Sequence, residues 1–210
     1  MNKKDLALEV GARLKQHYPD PKTELNYENE MQLVIAVMLS AQTTDVKVNE
    51  ITQTLFAKYD SWEDLASAEV ADLEKAIYGV NFHKTKAQRI KDTASLVLEK
   101  FSGQVPHTIK ELTSLPGIAR KSANVIMREL WGVAEGIVVD THVTRVSNRL
   151  GFVDTKNARK IEKELMDLFP REFWLNVSGS MVLHGRYVCK ARKPQCAECF
   201  LNDICPSSEV

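Results

Sequence analysis

Three sets of residues in this sequence can do chemistry. Lys121 stands beside Arg120, directly behind the turn Leu115-Pro116-Gly117-Ile118-Ala119. A cation is disfavoured at a helix N-terminus, and a neighbouring cation disfavours it further. Both effects push the lysine toward the neutral amine that nucleophilic attack requires. A lone lysine in a basic turn more often contacts phosphate, and by itself Lys121 reads that way. Asp140 ends the apolar run Ile137-Val138-Val139 and precedes Thr141-His142. It reads as a helix N-cap and also as a partly desolvated acid aimed into a cleft. Cys189, Cys196, Cys199 and Cys205 are spaced C-x6-C-x2-C-x5-C near the C-terminus. Four thiolates so close in sequence can converge on one centre. Zinc is the general reading of such a set, although a single CxxC departs from the paired knuckles of many zinc sites.

The elements that must position these residues are helices. Residues 31–41 are apolar on most sides, which predicts a buried helix. Asp45 is the expected N-cap of the next helix, with Val48, Ile51, Leu55 and Phe56 on its inner face. A helix over about 86–100 carries Ala87, Ile90, Ala94, Val97 and Leu98 on one side. Thr108 caps the next, ahead of Ile109, Leu112 and Leu115. Pro116-Gly117 then breaks the chain, and Ala123, Ile126, Met127, Leu130 and Trp131 mark a new helix. Ile137–Val139 has strand composition but no evident partner. Helices follow from Asp140-Thr141 to about Leu150, over about 156–169 and over about 171–187. The fold class is all-α.

The two helices around Gly117 form a tight hairpin. Gly117 supplies a backbone conformation that side chains resist. The amides opening the second helix, with the positive end of its dipole, offer a phosphate site that reads no sequence.

Composition narrows the class. The chain has 210 residues, 44% hydrophobic and 27% charged, which excludes a disordered protein. No apolar run approaches the ~20 residues of a membrane helix. The start, Met1-Asn2-Lys3-Lys4-Asp5, has no apolar stretch behind it, and no secretion signal is expected. The 28 basic and 28 acidic side chains cancel, so whole-chain charge gives no indication of nucleic acid. Local charge does. Lys84, Lys86, Arg89 and Lys91 form one acid-free run, and Arg186, Lys190, Arg192 and Lys193 form another, while acids gather at Asp60, Glu63, Asp64, Glu69, Asp72 and Glu74. That segregation would give a neutral molecule a basic face. The clustered cysteines suit metal or cluster ligation in a reducing, cytoplasmic compartment.

The hairpin, with its lysine and distal aspartate, resembles the helix-hairpin-helix superfamily of DNA glycosylases. The cysteine spacing, with Leu183-His184-Gly185-Arg186-Tyr187 before it and Ala191-Arg192-Lys193-Pro194 within it, resembles the [4Fe–4S] loop of the endonuclease III branch. The resemblance covers essentially the whole chain. It implies a monomer with a six-helix domain at 23–132 and a cluster domain made of 1–22 plus 133–210. Lys121 and Asp140 would then face each other across a DNA-binding cleft. It also implies a base excision repair glycosylase for oxidised pyrimidines in double-stranded DNA, with lyase activity at abasic sites. Lys121 would attack the sugar, Asp140 would assist, and the four cysteines would hold the cluster. DNA contacts would come from Gln42, Thr44, Leu115, Gly117, Ala119, Arg120, His142, Arg186, Arg192 and Lys193. Gln42, in the segment Ser40-Ala41-Gln42-Thr43-Thr44-Asp45, would fill the gap left by a flipped nucleotide. A second wedge would come from the loop between Val80 and Lys84, which departs from the family pattern and leaves that residue unassigned. The family turn reads Leu-Pro-Gly-Val-Gly. Ala119 at its second glycine would cost about 1 kcal/mol were that position left-handed.

Overall fold

The computed structural model describes residues 2–210, and among them every regular element is helical. The chain divides into two compact units. One runs from Glu24 to Trp131. The other combines the chain up to Thr23 with Gly132–Val210.

The Glu24–Trp131 unit is built around α2 (Glu30–Ser40), whose residues 31–39 are all buried. A helix apolar on every side must be enclosed, and α3 (Asp45–Lys58), α6 (His83–Phe101) and α8 (Arg120–Trp131) pack around it. The short α4 (Trp62–Ser67) and α5 (Val70–Ala76) lie on α6, and α7 (Ile109–Leu112) is a single turn against α8. The acid-rich stretch becomes α4 and α5 because Ser61 caps α4 by accepting the Asp64 amide at 3.1 Å. Glu63 and Asp64 then sit in its first turn, where the helix dipole favours them. At α3 the expected cap is displaced by one residue. Thr44 Oγ1 accepts the Lys47 amide at 3.3 Å, and Asp45 is the first helical residue.

The other unit packs α1 (Lys3–His17) and α9 (Thr141–Arg149) against α11 (Arg171–Tyr187), with α10 (Ala158–Leu168) beside both α1 and α9. Its core joins Leu6, Val10 and Leu14 to Val143, Val146, Ile161, Leu165, Val177 and Met181. Ile137–Val139 forms no strand. Among the described residues no second strand is present to pair with it, and the Val138 N–H donates to Ser178 Oγ at 2.7 Å instead. Beyond α11 the chain has only one short 3-10 turn, Cys196–Glu198. No described helix is long and apolar enough to cross a membrane.

Candidate functional site

The hairpin is held from inside. Thr108 caps α7 by accepting the Glu111 amide at 3.2 Å and donates to Glu111 Oε2 at 2.8 Å. Leu115 and Ile118 bury their side chains in the core on either side of the turn, and the Ile118 N–H donates to the Leu115 carbonyl at 3.1 Å. Leu115 can therefore offer a ligand only its backbone. Gly117 has φ +86° and sits so close to α6 that a Cβ there would meet Arg89 Cδ at 2.9 Å. Thr93 Oγ1 braces the same turn from α6 by donating to the Pro116 carbonyl at 3.1 Å. Ala119 is not among the left-handed residues, so its Cβ carries no strain of that kind. Its carbonyl accepts the Ala123 N–H at 2.9 Å, the first bond of α8. Ala119, Arg120 and Lys121 are all exposed where the dipole of α8 is positive.

The Gln42 segment belongs to the same unit. Gln42 is exposed and left-handed, with φ 59°. Its carbonyl accepts a short bond from Asn81 Nδ2, and the Asn81 N–H donates to Thr43 Oγ1 at 3.2 Å. Beneath it lies Lys86, only 3% exposed, whose Nζ donates to the Leu39 carbonyl at 2.8 Å and the Ala41 carbonyl at 2.6 Å. Burial pushes the Lys86 ammonium down to about 8, and Arg89 pushes the same way. The first basic run is thus not one solvated face. Lys86 closes the C-terminus of α2, and Lys91 donates to the Ala68 carbonyl at 2.8 Å at the end of α4. Lys84 and Arg89 remain exposed. Next to Asn81, Phe82 is left-handed and 64% exposed, an unusual state for a large apolar side chain.

In the other unit Asp140 is the N-cap of α9, its Oδ1 accepting the Val143 N–H at 2.8 Å. His142 is half-buried, with Nδ1 3.1 Å from Arg145 Nη2. It lies against α11 so tightly that a Cβ on Gly185 would fall 2.8 Å from His142 Cβ and 3.3 Å from its Cα. Gly185→Ala would have to move the first turn of α9 rather than a flexible tip. A loss of about 1–3 kcal/mol is expected from such overpacking. Denaturant unfolding checks it, and unchanged stability would show that the two helices can separate freely.

The four cysteines are half-buried, free of disulfides, and line one hollow with Val146, Leu150, His184 and Leu201. Arg145 and Arg149 hold the loop's first turn to α9. Arg145 Nε donates to the Cys189 carbonyl at 2.9 Å, and Arg149 Nη1 to the Lys190 carbonyl at 2.7 Å and to Cys189 Sγ at 3.2 Å. The Leu201 N–H points at Cys199 Sγ from 3.4 Å. Arg13 of α1 fastens the loop's far side through the Phe200 carbonyl at 2.9 Å and Asp203 at 2.6 Å. His184 is buried with Nε2 3.7 Å from Cys199 Sγ. Burial drives its imidazole down to about 4, with His17 adding to the effect, so it is neutral at pH 7. Burial together with the neighbouring thiols pushes the Cys199 and Cys205 thiols up, a mutual repulsion that binding iron would relieve. Among the described residues no three His, Cys, Asp or Glu side chains approach closely enough to share a single ion. Four sulfurs spread round a common hollow, with N–H donors aimed at two of them, fit the wider body of an iron–sulfur cluster better than one zinc ion. Arg186 is half-buried at the end of α11, whereas Lys190, Arg192 and Lys193 are exposed on the loop.

Residues 35–171 match the family model of HhH-GPD superfamily base excision DNA repair proteins, and the chain belongs to that superfamily. Within it the chain falls in the endonuclease III family, as residues 189–205 match the iron–sulfur binding domain of endonuclease III. An endonuclease III from Synechocystis sp. is 41% identical over 209 residues, spanning 100% of this chain and 95% of that protein. The endonuclease III of Escherichia coli K12 is 39% identical over 96% of this chain and 95% of its own length. A solved structure of a trapped endonuclease III–DNA covalent intermediate is 38% identical, with TM-score 0.91, covering 99% of this chain and 98% of that one. The chain is a base excision repair enzyme whose cofactor is a [4Fe–4S] cluster.

Proposed function

We propose that this protein removes oxidised pyrimidines from double-stranded DNA and cleaves the strand at the resulting abasic site. The observation that carries this reading is Lys121, exposed on the first turn of α8 behind the Gly117 hairpin. It occurs in a chain 38% identical to an endonuclease III that forms a covalent intermediate with DNA. The damaged base is everted from the duplex. The Lys121 amine, having given up its proton with help from Asp140, attacks C1′ of the deoxyribose. The glycosidic bond breaks, and its electron pair leaves with the base. Asp140 also stabilises positive charge developing on the sugar. The sugar ring opens to a protonated Schiff base between Lys121 and C1′. That cation acidifies the C2′ proton, and its loss expels the 3′-phosphate oxygen by β-elimination.

Around this centre, the hairpin amides of Gly117 and of Ala119 to Lys121, with the Arg120 side chain, hold backbone phosphate. Gln42 fills the vacated stack, with Thr44 at the edge of the same loop. Phe82, exposed beside Asn81, is the second wedge. His142 and Arg186 serve the DNA side of the other unit. Cys189, Cys196, Cys199 and Cys205 hold the cluster, which folds a loop that presents Arg192 and Lys193 to phosphates.

A strand-cleavage assay with the iron-loaded protein tests the reading on duplexes carrying an oxidised pyrimidine, an abasic site or a T·G mismatch. Cleavage of the first two, with the mismatch slower by about 100-fold or more, is expected from a pocket that reads the damaged base. Preference for the mismatch, or binding without base release on all three, would overturn it.

A further inference from the structure

We propose that Lys86 is a positioning residue for base eversion, holding the Gln42 loop in the shape that enters the duplex. The inference rests on the reading of Gln42 as the side chain that fills the vacated stack. The last carbonyls of a helix have no intrahelical partner and favour a cation. At α2 this cation is not a surface side chain from its own last turn. It is a lysine from α6, buried to 3% exposure and reaching the Leu39 carbonyl at 2.8 Å and the Ala41 carbonyl at 2.6 Å. The same Nζ is 3.5 Å from Thr43 Oγ1. Gln42, between these contacts, has φ 59°, a conformation that a non-glycine residue keeps only when its surroundings enforce it. The enforcement is two-sided, with Lys86 on the peptide before Gln42 and Asn81 Nδ2 on the carbonyl after it. A single ammonium therefore sets both where α2 ends and how its first loop residues project.

The chemistry separates this role from simple stability. A paired damaged base must be unstacked and its place filled, whereas an abasic site has no base to evert. Loss of the Lys86 contacts should damage the first reaction far more than the second. Iron-loaded wild type, Lys86→Met and Gln42→Ala are compared in single turnover on an oxidised-pyrimidine duplex and on the same duplex with an abasic site. Lys86→Met is expected to lose about 10- to 100-fold on the damaged base, the scale of a misplaced positioning group. On the abasic duplex it should lose no more than about 3-fold, because no base has to be unstacked and unpaired there. 2-Aminopurine opposite the lesion should show a weakened fluorescence rise on binding. Lys86→Gln, which keeps two N–H donors, should show the same split in milder form, and it replaces the Met variant should that one not fold. Equal loss on both duplexes, or no loss, would overturn the assignment. A split in Gln42→Ala without one at Lys86 overturns the Lys86 role alone. A split at Lys86 without one in Gln42→Ala supports the bracing and removes the stack-filling role from Gln42.

Discussion

Lys121→Gln should leave a folded, iron-containing protein that no longer becomes trapped on damaged DNA when borohydride is added during reaction. Glutamine matches the length of much of the lysine stem, and Lys121 is exposed, so no core packing is lost. The hairpin's internal supports, Leu115, Ile118 and Thr93, are untouched. DNA affinity should therefore stay within a few-fold of wild type. An amide cannot form a Schiff base, so covalent trapping should vanish and strand cleavage should fall by about 1000-fold or more, as when a nucleophile is deleted. Asp140→Asn makes the companion experiment. Asparagine caps a helix as well as aspartate does, so the bond to the Val143 amide survives while the charge is gone. Base release should fall by about 100-fold, in the range of general acid–base contributions. A Lys121→Gln protein that traps as efficiently as wild type would place the nucleophile elsewhere.

Cys199→Ser should cost the protein its brown colour, its iron and the fold of its C-terminal loop. Between α11 and Leu201 the chain has only one 3-10 turn, and Lys190 to Lys193 are exposed. Such a segment has little apolar surface to bury, so its order must come from the cluster, whose binding energy is folding energy. The protein-side anchors, Arg145 and Arg149 on Cys189 and Lys190, and Arg13 on Phe200 and Asp203, grip only the two sides of the loop. The melting temperature should drop by about 10 °C or more, given that each kcal/mol is worth a few degrees in a chain of this size. Iron analysis, visible absorbance and thermal melting read the result. A variant with full iron and an unchanged melt would remove Cys199 from the ligand set. A colourless wild-type protein containing zinc would refute the cluster itself.

Helices with a long apolar face were legible, whereas the short α4 and α5 were not read out of the acid-rich stretch, although Ser61 caps α4. Thr108 and Asp140 cap as their positions ahead of apolar residues predicted. The α2 run could only be a buried helix, and its residues 31–39 are buried throughout. What escaped were features decided by a distant partner. Lys86 sits in a charge run that reads as solvated surface, and nothing local shows that the end of α2, more than forty residues earlier, needs its ammonium. Asp45 was the expected cap of α3, and Thr44, one residue earlier, takes that place. Ile137–Val139 had strand composition, but sheets need a partner and the sequence supplied none. Ala119 was suspect only because a glycine is usual there, and its backbone does not require one. Phe82 gave no periodic signal, because its interest lies in being left unpacked.

Arg13 ties the first helix to Asp203, and the apolar stripe of α1 closes onto residues from Ile137 onward. During synthesis the two units must therefore mature in a set order. Glu24–Trp131 is one uninterrupted stretch and can collapse as it leaves the ribosome. Helix α1, made before that stretch, waits with Leu6, Val10 and Leu14 uncovered until the helices after Ile137 have emerged. Iron can be captured only after translation reaches Cys205, so α1 and the cysteine loop, far apart in the chain, become native together.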